Sequence, residues 1–188
     1  MKIFVVALLA VLLTSCSSHY EINQETQAVE MPMPPAPKPA PLITEMANNL
    51  QKQYASTAVK TIAVGNEIKI LYPSDNLFAV GKVDLTSGAD AYLSPLWNTI
   101  QLQTNVRLMV EGLTDNSGNA QTNVELSAAR AENVAQYFIQ QGFSPSMIIA
   151  RGYGGAFPVV ENDSSEHRAM NRLIIVTIKL DKTSKQED

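Results

Sequence analysis

The sequence predicts an α/β fold, an α+β sandwich in which helices pack on one face of a mixed β-sheet. Segments with two-residue hydrophobic alternation interleave with segments in which apolar residues recur every three or four positions. Hydrophobic residues form 45% of the 188-residue chain and charged residues 17%, which is enough apolar surface for a folded core. Six of the ten prolines lie between Pro32 and Pro41, and this run predicts a disordered tether before the folded part.

The first 15 residues have the pattern of a secretory signal peptide. A positive start, Met1-Lys2, precedes the apolar run Ile3–Leu13, which is shorter than the roughly 20 residues of a membrane-spanning helix. The run Leu13-Thr14-Ser15-Cys16 resembles the lipobox of bacterial lipoproteins, which implies lipid attachment to the sulfur of Cys16 and cleavage before it. Ser17, where Asp would favour inner-membrane retention, then implies sorting to the outer membrane. The alternative is an ordinary signal peptide in which Cys16 is incidental.

Residues 16–41 hold the cysteine and the Pro-rich linker. Proline has no N–H and fixes φ, so this run favours polyproline II, which rises about 3.1 Å per residue. Its functional interpretation is a semi-rigid spacer that holds a domain away from a membrane. The alternative interpretation is a proline-rich ligand for an SH3-like partner.

The next 70 or so residues predict a leading helix, a hairpin, a second helix and a strand. The short leading helix spans 42–56, where apolar residues recur every four positions, at Leu42, Met46, Leu50 and Tyr54. Two alternating stretches, 57–64 and 67–72, flank the turn Gly65-Asn66 and predict the hairpin. The segments that follow are a short apolar run at Leu77–Val80, a helix at Ala89–Leu102 with Pro95 near its first turn, and a strand at Val106–Gly112.

The rest of the chain predicts one long helix and two strands. A polar loop, 113–121, leads into the helix, whose start is a Thr122–Glu125 capping box and whose end is Gln141-Gly142. The apolar face of this helix is Val124, Ala128, Ala131, Ala135 and Phe138. The remaining segments are a strand at Met147–Tyr153, a loop at Ala156–Ala169, a strand at Leu173–Leu180 and a polar tail, 181–188.

Composition argues against several classes of function. The chain has a net charge of −4 and lacks the basic composition of a nucleic-acid binder. One cysteine forms no internal disulfide and, with two histidines, no Cys/His zinc cluster, so we expect neither metal nor cofactor. Ser-His-Asp catalysis would have to use His167, and the sequence has no nucleophile elbow, so we expect no enzymatic activity.

The functional motif lies in Val110–Phe138. This segment contains G-x-T-D at 112–115 and N-x-x-L-S-x-x-R-A at 123–131, with Leu77-Phe78 upstream and Arg151–Gly154 and Asn171-Arg172 downstream. These motifs resemble the peptidoglycan-binding domain shared by the OmpA C-terminal region, the peptidoglycan-associated lipoprotein and the MotB stator. The resemblance covers 57–180 and implies an OmpA-like domain over those residues.

The resemblance also implies a ligand, the diaminopimelate residue of the peptidoglycan peptide stem. The free end of this residue carries a carboxylate and an ammonium. Arg130 suits the carboxylate, because a guanidinium binds it bidentately, and Asp115 suits the ammonium. The other residues that match the family's polar positions are Thr114, Ser117 and Asn123, with Arg172 closing the pocket.

Structural roles are the alternatives for these residues. Asp115 would then form an Asx-turn, and Arg130 would be a surface charge paired with Glu125 or Glu132. Ser117 and Asn123 would be turn and capping residues. Three departures from the family pattern predict altered ligand contacts on a retained fold: Leu113 in place of His, Ala79 in place of Asp and Leu173 in place of a second Arg.

Together these patterns predict an outer-membrane, lipid-anchored protein whose domain faces the periplasm and binds peptidoglycan without a covalent bond. Its function would be to tether the envelope to the cell wall. The alternative is a wall-anchoring structural subunit of an envelope-spanning secretion apparatus, such as a type IV system of the Dot/Icm type, with other envelope or secretion proteins as partners.

Overall fold

The computed structural model describes residues 41–180. The predicted signal peptide, the lipid attachment at Cys16, the linker up to residue 40 and the polar tail lie outside the described residues. The helices are α1 Pro41–Gln53, α2 Ser74–Leu77, α3 Asp90–Ile100, α4 Ala120–Gln140 and α5 Ser165–Asn171, with a 3-10 turn at Pro145–Met147. The strands are β1 Lys60–Val64, β2 Glu67–Pro73, β3 Val106–Gly112, β4 Ile148–Gly152 and β5 Leu173–Leu180.

The described strands form one mixed sheet in the order β1-β2-β5-β3-β4. β3 and β4 run parallel, and the other neighbouring pairs are antiparallel. The closing strand β5 therefore lies in the middle of the sheet, where Val176 pairs with Ile70 on one side and Val110 on the other. This arrangement confirms the predicted mixed sheet and brings the end of β2 beside the start of β5.

Helices α1, α3 and α4 cover one face of the sheet, as predicted. Alternate residues of each central strand point into the core, and they include Ile68, Ile70 and Tyr72 of β2 and Val106, Leu108 and Val110 of β3. The same core contains Ile43, Met46 and Leu50 of α1, Leu93, Leu96 and Ile100 of α3, and Val134 and Phe138 of α4. Exposed residues such as Lys69, Arg107 and Ile149 occupy the other face. No helix within residues 41–180 is long and apolar enough to cross a membrane.

Two glycines allow α4 to lie directly on the ends of two strands. A side chain at Gly112 would place its Cβ 2.1 Å from the carbonyl oxygen of Ser127, and one at Gly152 would lie 2.1 Å from the nitrogen of Ala128. The Ser127 hydroxyl donates to the Val124 carbonyl and accepts from the Gly154 N–H, at 2.9 Å each. The glycines and Ser127 of the sequence motif therefore fix the position of the helix that carries Arg130.

The N-terminal ends of α1 and α4, and the faces that these helices turn to the core, differ from the predictions. α1 begins at Pro41, which suits a first helical position, and it turns Ile43 rather than Leu42 into the core. α4 begins earlier than the predicted capping box, because the Asn119 side chain accepts from the Thr122 N–H at 3.0 Å and caps the helix. Val124, predicted on the apolar face of α4, is exposed.

The apolar run Leu77–Val80 is the end of α2 followed by an isolated bridge from Phe78 to Leu85, and Val80 is 96% exposed. Two further predictions were wrong in detail. The predicted loop 156–169 contains the start of α5, which Ser164 caps by accepting from the His167 N–H. Pro95 lies in the second turn of α3 rather than the first.

Candidate functional site

A cavity of about 340 Å³ opens where β2 and β3 end and β5 begins. It is lined by Asp75, Val80, Gly81, Thr114, Asp115, Asn123, Leu126, Arg130 and Arg172. Small-molecule sites usually have volumes of roughly 300–1,000 Å³, so the cavity can hold one short charged group. Five of the six ligand-binding residues predicted from the sequence line it, and the sixth, Ser117, does not.

Arg130 is a buried cation on the α4 side of the cavity. The residue is only 5% exposed, its Nε donates to the Lys82 carbonyl at 2.8 Å, and its Nη2 donates to the Ala79 carbonyl at 3.3 Å. Its guanidinium carbon lies 5.0 Å from the centre of the Phe78 ring. Burial lowers the pKa of Arg130, but an arginine at this position remains charged.

No carboxylate among the described residues forms an ion pair with Arg130. The surface pairing with Glu125 or Glu132 that the sequence left open is therefore wrong, since Arg130 points inward from the helix. Its Nη1 also has no hydrogen-bond partner within residues 41–180. A buried arginine held by carbonyl groups, with a free N–H at a cavity, is a fixed positive charge ready to bind an anion.

Asp115 lies on the opposite side, where the strands end, and its side chain is 14% exposed. One carboxylate oxygen accepts from the Ser117 N–H at 2.9 Å, which is the Asx-turn considered as its alternative role. The other oxygen accepts from Nη1 of Arg172 at 3.1 Å. Burial alone would raise the pKa of Asp115, but the hydrogen bonds from Ser117 and Arg172 outweigh it and lower the pKa below its ordinary value. Asp115 therefore has both a turn-forming contact and a charged contact at the cavity.

Arg172, at the start of β5, is shared between two carboxylates. Its Nε and Nη2 donate to the two oxygens of Asp75 at 3.2 and 2.6 Å, and its Nη1 donates to Asp115. The hydrogen bonds to Asp75, and then the one to Asp115, raise the pKa of Arg172 despite its partial burial. Arg172 thus closes the cavity as an ion-paired residue rather than as a free cation.

Asp75 is the charged cavity residue that the sequence analysis missed. It lies in α2, just past the end of β2, where Pro73 pairs with Leu173 and the Ser74 N–H donates to the Arg172 carbonyl at 2.9 Å. This pairing sets Asp75 beside an arginine 97 positions away. A prediction that the hairpin pairs with the closing strand would have placed Asp75 beside the site from the sequence alone.

The remaining predicted residues hold the loop that carries Asp115. The Thr114 N–H donates to the Gly154 carbonyl at 3.0 Å, and Nδ2 of Asn123 donates to the Ser117 carbonyl at 2.8 Å. Ser117 is exposed and contributes its backbone. Thr114 and Asn123 therefore line the cavity and stabilise its loop, whereas Ser117 supports the loop from outside the cavity.

Two positions flagged as departures have structural roles here. Leu113, which stands where a histidine is common, is buried and exchanges two backbone hydrogen bonds with Leu173 at 2.8 and 3.3 Å. Ala79, which stands where an aspartate is common, offers its carbonyl to Arg130. Neither side chain lines the cavity, so the charged contacts come from other positions.

Nearby, the buried Asn171 fixes the segment that flanks the start of β5. Its side-chain oxygen accepts from the N–H groups of Val159 and Val160, and its Nδ2 donates to the Val160 carbonyl and to the side-chain oxygen of Asn162. The Asn171-Arg172 pair of the sequence motif therefore has two functions, since the asparagine anchors the loop and the arginine faces the cavity.

The cavity holds two arginines and two aspartates, so its positive and negative charges balance. The four charged side chains lie on two different sides of the cavity. Arg130 lies on the α4 side, and Asp75, Asp115 and Arg172 lie on the strand side. Within residues 41–180 no group of three His, Cys, Asp or Glu side chains could hold a metal ion. Such an arrangement fits a ligand that carries both a carboxylate and a cation.

Three sequence relatives are bacterial proteins whose names describe an outer membrane protein, a probable lipoprotein and a peptidoglycan-binding protein. The chain is 36% identical to outer membrane protein P5 of Haemophilus influenzae over 101 residues, which are 54% of this chain and 29% of P5. It is 28% identical to the probable lipoprotein YiaD of Escherichia coli over 129 residues, 69% of this chain and 59% of YiaD. It is also 28% identical to the peptidoglycan-binding protein ArfA of Mycobacterium tuberculosis over 156 residues, 83% of this chain and 41% of ArfA.

Structural similarity supports the same grouping. The fold matches a putative MotB-like protein from Desulfovibrio vulgaris with a TM-score of 0.66 and 27% identity, over 73% of this chain and 94% of that protein. The model of the OmpA family matches residues 77–172, which include every residue of the cavity except Asp75. This family is non-enzymatic, in agreement with the prediction from sequence. The chain belongs to the OmpA family.

Proposed function

We propose that this protein binds peptidoglycan non-covalently, with the diaminopimelate side chain of a peptide stem in the cavity. The observation that carries the proposal is the buried Arg130, which has no carboxylate partner among the described residues and faces an anionic group across the cavity. The free end of diaminopimelate offers the complementary pair of charges. Its carboxylate would take the free N–H of Arg130, and its ammonium would lie near Asp115.

The same geometry predicts selectivity between types of cell wall. A lysine in the peptide stem has the ammonium but lacks the carboxylate, so Arg130 would remain buried without an anion. Sites that leave a buried polar group unpaired reject the incomplete ligand strongly. We therefore expect diaminopimelate-type peptidoglycan to bind and lysine-type peptidoglycan to bind much more weakly.

The envelope setting of this function is also a proposal. The name of ArfA describes a peptidoglycan-binding protein, and that of YiaD describes a probable lipoprotein. Together with the lipobox-like run that ends at Cys16, they support an outer-membrane lipid anchor with the domain in the periplasm. A linker of this composition would let the domain reach the wall and tether the envelope to it.

Cosedimentation with purified sacculi tests the binding function. The protein should sediment with diaminopimelate-type sacculi, and Asp115→Ala or Arg130→Ala should reduce the bound fraction. Asp84→Ala and Arg151→Ala are matched controls, because both residues are exposed and lie outside the cavity. Equal sedimentation of all variants would show that the cavity is not the binding site.

Metabolic labelling with palmitate tests the anchor. Label should appear on the protein expressed from the full sequence and disappear in Cys16→Ala, since this is the only cysteine. Label that persists in the variant would exclude Cys16 as the attachment site.

A wall-anchoring subunit of a secretion apparatus would use the same cavity. A crosslinked pull-down from native envelopes separates this alternative from a simple tether. Recovery of a stoichiometric set of secretion proteins would favour the apparatus, and recovery of peptidoglycan alone would favour the tether.

A further inference from the structure

Three side chains on the strand side of the cavity form one connected ionic chain, Asp75–Arg172–Asp115. Arg172 holds Asp75 with two hydrogen bonds, at 2.6 and 3.2 Å, and Asp115 with one at 3.1 Å. Bidentate contacts between a guanidinium and a carboxylate are stronger than single ones. The charge of Arg172 is therefore committed mainly to Asp75.

The charges of the ionic chain Asp75–Arg172–Asp115 do not cancel. Two carboxylates and one guanidinium leave one net negative charge on the strand side, opposite the single positive charge of Arg130. Without Asp75, the strand side would consist of one Arg172–Asp115 pair and would be neutral. The difference between an anionic and a neutral strand side is thus one carboxylate.

We propose that Asp75 is a selectivity-determining residue of the cavity, and that it gives the strand side the surplus negative charge that favours ligands with an ammonium. This inference rests on the proposed function and adds a residue outside the matched motif to it. Asp75 acts by engaging two of the three hydrogen-bonding contacts of Arg172, so that one guanidinium is shared between two carboxylates and a net negative charge is left to attract a ligand cation. The ligand class it favours is a zwitterionic side-chain end, with carboxylate and ammonium on one carbon.

Accessibility supports a direct effect of Asp75 on the ligand. Its side chain is 56% exposed, whereas that of Asp115 is 14% exposed with both oxygens already accepting hydrogen bonds. Asp75 also acts electrostatically across the cavity: its charge opposes the lowering of the Arg130 pKa by burial, and the charge of Arg172 adds to that lowering. Both sides of the cavity therefore respond to the charge at position 75.

A purely structural role for Asp75 makes a different prediction. In that case Asp75 would only hold Arg172 and the start of β5 in place, and losing it would weaken every ligand equally. A charge role predicts that only ligands with an ammonium are affected. It also predicts that removing Arg172 compensates for removing Asp75, because one net negative charge then returns through Asp115.

The test is calorimetric titration of the full-length protein with two soluble stem tripeptides. One carries diaminopimelate, and the other carries the analogue in which hydrogen replaces the side-chain ammonium. We expect wild-type protein to bind the first peptide more tightly than the second. In Asp75→Asn the ratio of the two affinities should fall about tenfold, the size of effect that one nearby charge produces. Asp75→Asn combined with Arg172→Gln should restore the preference, and Asp84→Asn should retain it.

The outcomes separate the two proposals. An unchanged preference in Asp75→Asn, or a double variant no better than the single one, would overturn the role of Asp75 while leaving peptidoglycan binding intact. Wild-type protein that binds neither peptide would overturn the proposed function and this inference together. Circular dichroism of each variant shows whether a loss of binding reflects a loss of fold.

Discussion

The α4 side and the strand side of the cavity hold their charges in opposite ways. On the α4 side, Arg130 is buried, is held by two backbone carbonyls and lies over an aromatic ring. On the strand side, Arg172 is 30% exposed and is held by the carboxylates of Asp75 and Asp115. One side therefore presents a fixed charge supported by neutral groups, and the other presents charges supported by one another.

This difference indicates how the two sides respond to change. A buried charge held by carbonyls depends on the exact position of its helix, because few other partners are within reach. Charges that pair with one another at the surface can rearrange, and water screens them. Changes on the α4 side should thus have large effects, and changes on the strand side should have smaller, pH-dependent ones.

The largest effect is expected where α4 contacts the strands. Gly152→Ala would place a Cβ 2.1 Å from the backbone of Ala128, so α4 must move away from β4 and carry Arg130 with it. We expect the free energy of unfolding in urea to fall by about 3 kcal/mol, as overpacking does in tight interfaces. Gly88→Ala is the control, since the nearest atom to its Cβ would be the Thr86 hydroxyl at 4.0 Å, and it should change stability by less than about 0.5 kcal/mol. Equal stability of the two variants would contradict the close contact.

A smaller effect is expected from Arg130→Lys, which keeps the charge and removes the planar fork. One ammonium cannot satisfy the Lys82 and Ala79 carbonyls and a ligand carboxylate in the same geometry. We expect affinity for a diaminopimelate tripeptide to fall about thirtyfold in calorimetric titration, as for other buried charged contacts. Arg151→Lys, on an exposed position of β4, should bind as wild type does. Wild-type affinity in Arg130→Lys would show that charge alone suffices.

The smallest effect is the contribution of Asp115 to stability as pH changes. Its pKa is lowered in the folded state, so its stabilising contribution is present above the ordinary aspartate pKa of about 3.9 and is lost as pH falls through the lower folded value. We expect Asp115→Asn to destabilise the protein by less than about 1 kcal/mol at pH 6, with the difference from wild type shrinking below pH 4. Urea unfolding at both pH values measures it, and a difference that grows on acidification would have the wrong sign.

Local sequence patterns predicted most of the fold. β3 and β5 have the predicted ends, and β2 and the C-terminal end of α4 lie within a residue or so of theirs. Local patterns failed where a tertiary contact decides. Asn119 caps α4 before the Thr122–Glu125 signal, and Ile43 rather than Leu42 enters the core because α1 must face β1 and α3.

The candidate site shows the same limit more clearly. The resemblance of the loop and helix motifs to a known family carried Asp115 and Arg130 into the prediction, and both line the cavity. Asp75 belongs to no motif and reaches the site through the pairing of β2 with β5, so no local pattern marks it. Ser117 matches a family position in sequence, but its side chain lies outside the cavity because its amide is used to turn the loop.

The most direct measurement of the central claim is a crystal structure with a diaminopimelate-containing stem tripeptide. We predict the side-chain carboxylate of the ligand within about 3 Å of the Arg130 guanidinium, with its ammonium between Asp75 and Asp115. A ligand that binds elsewhere on the domain, or that enters the cavity with its carboxylate away from Arg130, would contradict the account.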